Sequence, residues 1–211
     1  MRTDGRDDQR QRVADAAAAL FAERGADDVT MAEIATTAGV ARATVFNYFG
    51  SKHALLEAIT ETVFHIWGEM LDEALADETT PTADLLRKLC RDMAEGIESQ
   101  RRLFRSVFRE IAFIQLGLDM GDVASRANEA AASRLVQLME RAQKRGDLND
   151  ELPAESLAEA FHSLTNGTIT HWLYHDPTQP LTTRLLDAAE VFLSPIERTR
   201  RPRSRRKGAS A

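Results

Sequence analysis

The chain has a single cysteine, Cys90, in 211 residues, which excludes an intrachain disulfide framework and any zinc site built from several thiolates. Cys90 itself reads as filler in a helical core rather than as a sensor thiol. Long apolar runs are missing too: none reaches the roughly 18 residues of a membrane-spanning helix, and the opening MRTDGRDDQR lacks the apolar core of a secretory leader. The expected address is the cytoplasm, with no membrane partner. There is no glycine-rich phosphate loop, no GxSxG elbow and no HExxH pair, so neither catalysis nor a cofactor is expected. No stretch alternates with the period of a strand and none repeats, which leaves an all-α chain.

Basic charge is in deficit, with 27 Lys and Arg against 33 Asp and Glu for a net −6. The deficit is local. Residues 1–53 hold 7 basic and 8 acidic side chains, residues 198–211 hold 7 basic and none acidic, and residues 54–197 hold 13 basic against 25 acidic. An acidic centre discourages broad phosphate binding, so any DNA affinity has to come from a compact site with few ion contacts.

One stretch is dense with signals: TMAEIATTAGVARATVFNYFGSK, residues 30–52. Thr30 followed by Glu33 is a capping-box spacing that starts a helix at Met31. Met31, Ile34, Ala35 and Ala38 share one stripe of it, and Gly39 ends it and turns the chain. A second helix over 41–49 sets Val45 and Phe49 inward and leaves Arg42, Ala43, Thr44, Asn47 and Tyr48 outward. That outward set suits a DNA groove: Arg donates to guanine or phosphate, Thr and Asn bond base edges, and Tyr stacks or donates to phosphate. Thr30 and Lys52 complete the candidate DNA-binding residues.

The string GVARATVFNYFGSKHALL resembles the DNA-binding signature of the TetR family of transcriptional regulators: a glycine turn, a Thr-apolar-aromatic core, a Tyr-Phe pair and a Ser-Lys helix start, in that order. The resemblance implies a three-helix DNA-binding head, an α-helical ligand-binding and dimerisation body, and a homodimer. The chain departs from the pattern twice. Ala41 stands where many relatives have Ser, which removes a side-chain cap from the recognition helix, and Phe46 stands where many have Tyr, which removes a hydroxyl that would bond phosphate.

The head is expected to span 1–50, opening with a helix over 7–24 whose buried stripe is Val13, Ala17, Leu20 and Phe21. Arg6 and Arg10 lie either near the DNA backbone or on a solvated face. The body is expected over 51–197. Ser51 caps a long helix over 52–76, with Leu55, Leu56, Ile59, Val63, Ile66, Met70, Leu71 and Leu75 at helical spacing, and this helix joins head to body as a candidate lever. Helices follow over 83–99, through LFRSVFREIAFIQLGL, and over 123–145, 154–174 and 181–193, with a loop between Gly117 and Gly121. Arg141, Lys144 and Arg145 lie where they favour the negative end of their own helix. Residues 198–211, RTRRPRSRRKGASA, read as a disordered basic tail, either solvated or an auxiliary phosphate binder.

Phe64 and Trp67, Phe104, Phe108 and Phe113, and His162, Thr165, Asn166 and Thr170 mix large apolar surface with a few hydrogen-bonding groups, as small-molecule cavities do. Taken singly, each reads more readily as core or interface packing. The resemblance gives the set its meaning as a pocket for a small, mainly apolar or aromatic effector, and it implies a four-helix dimer interface through the last two helices. Phe161, Leu164, Trp172, Leu185, Ala188, Ala189 and Phe192 are the residues expected there. His171 and His175, four apart beside Asp176, have a spacing that binds metal, but at a helix end they suit the dipole and solvent equally, and no metal is expected.

The leading expectation is a ligand-responsive regulator, a repressor released from a palindromic operator. The alternative is a small helical enzyme or metal-binding protein without a DNA role, and a weaker third reading is a constitutive DNA-binding protein without ligand response.

Overall fold

The computed structural model describes residues 4–115, 122–175 and 178–196. The Gly117–Gly121 loop, Asp176 and the basic tail 198–211 fall outside these residues. Within them the chain forms helices α1 (Asp4–Arg24), α2 (Met31–Ala38), α3 (Arg42–Phe49), α4 (Lys52–Ala76), α5 (Thr82–Ser99), α6 (Arg101–Gln115), α7 (Asp122–Arg145), α8 (Ala154–Tyr174) and α9 (Leu181–Leu193). The boundaries match the periodicity to within a few residues. Helix α1 begins earlier, and Ala41 caps α3 rather than opening it.

The head packs α1, α2 and α3 around Val13, Ala17, Phe21, Ile34, Val45 and Phe49, all buried. The capping box forms: the Glu33 amide donates to Thr30 Oγ1 at 3.3 Å and the Thr30 amide donates to Glu33 Oε2 at 2.8 Å. These bonds from Thr30, with the Arg24 guanidinium 2.9 Å from Glu33 Oε1, bring the Glu33 carboxyl down to about 2. Gly39 sits at φ 67°, a left-handed value that any side chain would strain, and it turns the chain from α2 into α3.

Helix α4, about 37 Å long at ~1.5 Å per residue, leaves the head and runs along α7 through the body. Gly68 is buried at this crossing, where the position a Cβ would occupy lies 3.6 Å from the Arg134 guanidinium. Arg141 of α7 donates to the carbonyls of Ala74 and Leu75 at 2.9 and 2.5 Å. The sequence assigned this cation to the end of its own helix; instead it caps the negative end of α4. Arg101 does the same for α8, donating to the carbonyls of Trp172, Leu173 and His175. Helix α5 packs on α9, α8 lies against α7 and α9, and α6 touches α1 on one side and α4 and α8 on the other. Helix α6 is thus a second bridge between head and body.

Two local readings change. Helix α5 opens at Thr82 rather than at 83; the Thr82 amide and hydroxyl donate to Asp147 Oδ2, in the α7–α8 turn, at 3.2 and 3.0 Å. Ile66, placed on the buried stripe of α4, is 50% exposed, because α4 there faces only the shallow groove shared with α1 and α6. Cys90 is fully buried, and burial pushes its thiol up to about 12, which leaves it inert at neutral pH.

Candidate nucleic-acid interface and ligand cavity

Helix α3 is a short helix held from behind. Val45 and Phe49 sink into the head core, and the Arg10 guanidinium lies 4.9 Å over the Phe49 ring. On the opposite side Arg42, Ala43 and Asn47 are exposed, with Thr44 and Tyr48 half-buried at its edges. No side chain caps the start of α3 at Ala41, and Phe46, 40% exposed, has the Arg42 guanidinium 5.4 Å above its ring. The exposed face therefore offers a fork of donors from Arg42, an amide from Asn47 and small surface at Ala43, the composition that reads base edges in a major groove.

Three of the candidate DNA residues have structural duties, of which spacing revealed only that of Thr30. Thr30 is committed to the α2 cap, where its hydroxyl donates to Glu33 Oε2 at 2.7 Å. The Tyr48 hydroxyl donates to Gln9 Oε1 at 2.9 Å and ties α3 to α1. The Lys52 ammonium donates to the carbonyls of Ala26, Val29 and Asp27 at 2.6, 3.1 and 3.3 Å. A cation at the first position of a helix opposes the dipole, and these carbonyls offset that cost. Lys52 locks the α1–α2 connection to α4, with its donors already occupied.

In the body, Phe64 and Trp67 meet edge-on at 5.8 Å and Trp67 meets Phe108 at 6.1 Å. They wall a cavity of about 80 Å³ whose floor includes His162, Thr165 and Asn166. Six of the expected ligand residues are brought together. Phe104 is not among them: it lies one turn earlier on α6 and lines the groove facing α1. Thr170 is exposed, and the Phe113 side chain lies outside the described residues. The Thr165 hydroxyl is already bonded to the carbonyls of Phe161 and His162 at 2.8 and 3.0 Å, so it has no proton to offer a ligand. The polar groups left are Asn166 and Asn128, which bond no described residue, and His162, whose pKa burial lowers, keeping the imidazole neutral. Asn128 and Leu135 of α7, Met93 of α5 and Met70 of α4 line the cavity without having been expected; the packing of α5 and α7 against α4 puts them there, and no sequence period marks that packing.

The residues expected at a dimer interface lie mostly on the inward faces of α8 and α9. Phe161, Trp172, Leu185, Ala188, Ala189 and Phe192 are buried within the chain. Phe161 and Phe192 pack ring to ring at 5.3 Å, and the Trp172 indole donates to the Gln179 carbonyl at 3.1 Å. The stripe chosen from hydrophobicity is the one that α8 and α9 turn towards each other and towards α5 and α7. Of the seven, Leu164 alone is half-buried, at the edge of the core beside exposed Gly167, while Val191 on α9 is 70% exposed.

His171 and His175 stack with ring centres 4.3 Å apart, but Arg184 Nη1 stands 3.3 Å from His171 Nδ1 and competes for the lone pair a metal would use. Among the described residues no three His, Cys, Asp or Glu side chains gather as a metal site, and no helix among them is long and apolar enough to cross a membrane.

Residues 13–59, the head and the start of α4, match the family model of bacterial regulatory proteins of the tetR family. The HTH-type transcriptional repressor BepR of Brucella suis biovar 1 is 25% identical over 199 residues, covering 92% of each chain. Among solved structures, Thermus thermophilus FadR, a TetR-family transcriptional repressor in complex with lauroyl-CoA, superposes with a TM-score of 0.67 at 26% identity, over 92% of this chain and 98% of that one. SmeT of Stenotrophomonas maltophilia in complex with triclosan superposes with a TM-score of 0.64 at 23% identity, over 90% and 92% of the two chains.

Proposed function

As the chain belongs to the TetR family of bacterial regulatory proteins, we propose that it is a cytoplasmic repressor whose α3 reads an operator and whose body releases it when a small molecule enters the α4–α6–α7–α8 cavity. It is a DNA-binding transcriptional regulator, with residues 1–50 as head and 51–197 as body. The observation that carries the reading is the exposed Arg42, Ala43 and Asn47 face of α3, backed by buried Val45 and Phe49.

Two copies associate through the outward faces of α8 and α9, where Leu164, Gly167 and Val191 lie. Val191 is the most exposed large apolar residue of the described chain, and no atom comes within 4 Å of where a Cβ on Gly167 would stand, so a partner helix can approach closely there. A two-fold dimer presents two α3 helices to successive major grooves, so the operator is an approximate palindrome with half-sites ~34–36 Å apart.

Triclosan, bound by SmeT, is largely apolar, and the lauroyl-CoA bound by Thermus thermophilus FadR carries an apolar acyl chain on a charged coenzyme; the walls of this cavity are largely apolar too. At about 80 Å³ it is smaller than the ~300–1,000 Å³ of a drug-sized site, so the effector is a small aromatic or aliphatic molecule, or it parts α4 from α7 as it enters. Parting them tilts α4, which carries the head, and changes the separation of the two recognition helices. Such a switch requires that effector bind the DNA-incompetent spacing more tightly, and operator must weaken effector binding by the same factor. Titrating an effector against the protein with and without its operator tests this: equal affinities in the two titrations would reject the switch.

A further inference from the structure

The head and body meet across a cleft of about 310 Å³ that none of the roles above uses. Its head wall is the α1–α2 connection, from Arg24 to Asp28. Its body wall is one face of α6, where Arg102, Arg105, Ser106 and Arg109 follow at the i, i+3, i+4, i+7 spacing, closed by Tyr174 at the end of α8. Four guanidinium groups thus face a space that also holds the carboxylates of Asp27 and Asp28.

The pairing inside the cleft leaves cationic charge over. Arg109 binds Asp27 with both ends, at 3.1 and 3.2 Å, and Arg24 binds Glu33 at 2.9 Å. Arg102 donates to the backbone carbonyl of Glu23, and Arg105 lies 5.5 Å over the Tyr174 ring; neither meets a carboxylate among the described residues. Ser106 is only 6% exposed, and its hydroxyl bonds no described residue although it lines the cleft. An open hydroxyl donor beside two guanidinium groups that meet no carboxylate, and that outnumber the remaining Asp28 carboxylate, leaves donors and cationic charge to spare. What they fit is an anion with several acceptor oxygens, since guanidinium binds phosphate with two parallel bonds and the hydroxyl supplies a third.

We propose that this cleft binds a small phosphate-bearing anion, which ties the α1–α2 connection of the head to α6 of the body. A metal cation would face the arginines, and an apolar molecule would strip water from them without return. The phosphate could arrive on a small molecule or belong to a DNA backbone, and the small molecule is the one proposed here, because the Asp27 and Asp28 carboxylates in the same cleft repel a polyanionic backbone more than a single phosphate.

The test uses the full-length protein and calorimetric titration with inorganic phosphate and with adenosine monophosphate, in chloride buffer of matched ionic strength. Saturable binding is expected for both, with Kd raised about tenfold by Arg105→Gln, which removes a charge-assisted contact, and about threefold by Ser106→Ala. Arg105→Lys should fall between wild type and Arg105→Gln. Amide exchange of residues 24–28 should slow on adding phosphate, since the anion pins that connection. Circular dichroism checks the fold of each variant; if Arg105→Gln does not fold, Arg102→Gln and Ser106→Ala carry the comparison. No saturable binding, or variants that bind phosphate as tightly as wild type, would overturn the site. Displacement of phosphate by a random-sequence duplex would overturn the small-molecule assignment in favour of DNA backbone.

Discussion

Replacing Lys52 by Met separates two jobs that one side chain could hold. Methionine keeps the apolar stem and the length but removes three donated hydrogen bonds, to the carbonyls of Ala26, Asp27 and Val29. The bonds to Ala26 and Val29 are part-buried, while the longer one to Asp27 is exposed and water can replace it. At ~1–1.5 kcal/mol for each part-buried bond and little for the exposed one, the head should lose about 2–3 kcal/mol. Part of this is regained because the substitution removes a cation from the positive end of α4, an effect of ~0.3–1 kcal/mol, which leaves a net loss of about 2 kcal/mol. With a urea slope of ~2 kcal/mol/M the midpoint of the head's unfolding should fall by about 1 M, read by circular dichroism at fixed protein concentration. The salt dependence of operator binding gives the second readout. An ammonium held by carbonyls contributes little to counterion release, so the slope of log K against log salt should stay within a few tenths of wild type, whereas a phosphate contact would cost about one unit per subunit. An unchanged urea midpoint together with a slope reduced by a full unit would show that Lys52 serves the DNA and not the fold.

Arg42→Ala and Asn47→Ala should each cost about 1–3 kcal/mol of operator affinity and relax preference at one base position, measured by binding to single-base operator variants. Val191→Asp on the outward face of α9 should give folded monomers by sedimentation, whereas Ala189→Asp should lower stability by several kcal/mol, because Ala189 is fully buried within the chain. Trp67→Ala should weaken effector binding at least tenfold while leaving operator affinity of the ligand-free protein within twofold. Glu110 is buried with Oε2 unbonded; the nearest cation-forming group, His53 Nδ1, stands 3.4 Å away out of hydrogen-bond alignment. Burial raises its carboxyl above the ordinary 4.5, against the opposing pull of His53 and Arg109 and with the help of Glu57. The fold therefore favours protonated Glu110: its contribution is full below the ordinary glutamate range and is lost as pH rises through the raised folded value. Stability measured from pH 4 to 8 should fall over that window in wild type and fall less in Glu110→Gln, which should be about 1 kcal/mol more stable at pH 7.

Much of the head was legible because its signals are local. The Thr30–Glu33 spacing, the Gly39 turn and the Val45–Phe49 pair each act within a few residues, and each forms as its chemistry dictates. The body yielded its helices but not the direction in which they face. Phe161, Leu185 and Ala189 carry the right hydrophobicity for a buried stripe, but periodicity cannot say whether the stripe is covered by the same chain or by a second copy. The same limit hid Asn128, which reaches the cavity only because α7 crosses α4, and the duties of Lys52, Arg101 and Arg141, each of which caps or braces backbone 23 or more positions away in sequence. Long-range caps of this kind leave no trace in local spacing.

Selection of bound duplexes from a random pool by the full-length protein tests the DNA-reading role of α3 most directly. An approximately palindromic consensus is expected, with half-site centres one helical turn or a small multiple of ~34–36 Å apart, and Asn47→Ala should lose preference at one position in each half. No enrichment over the starting pool, or an asymmetric single site that Arg42→Ala and Asn47→Ala leave unchanged, would contradict it.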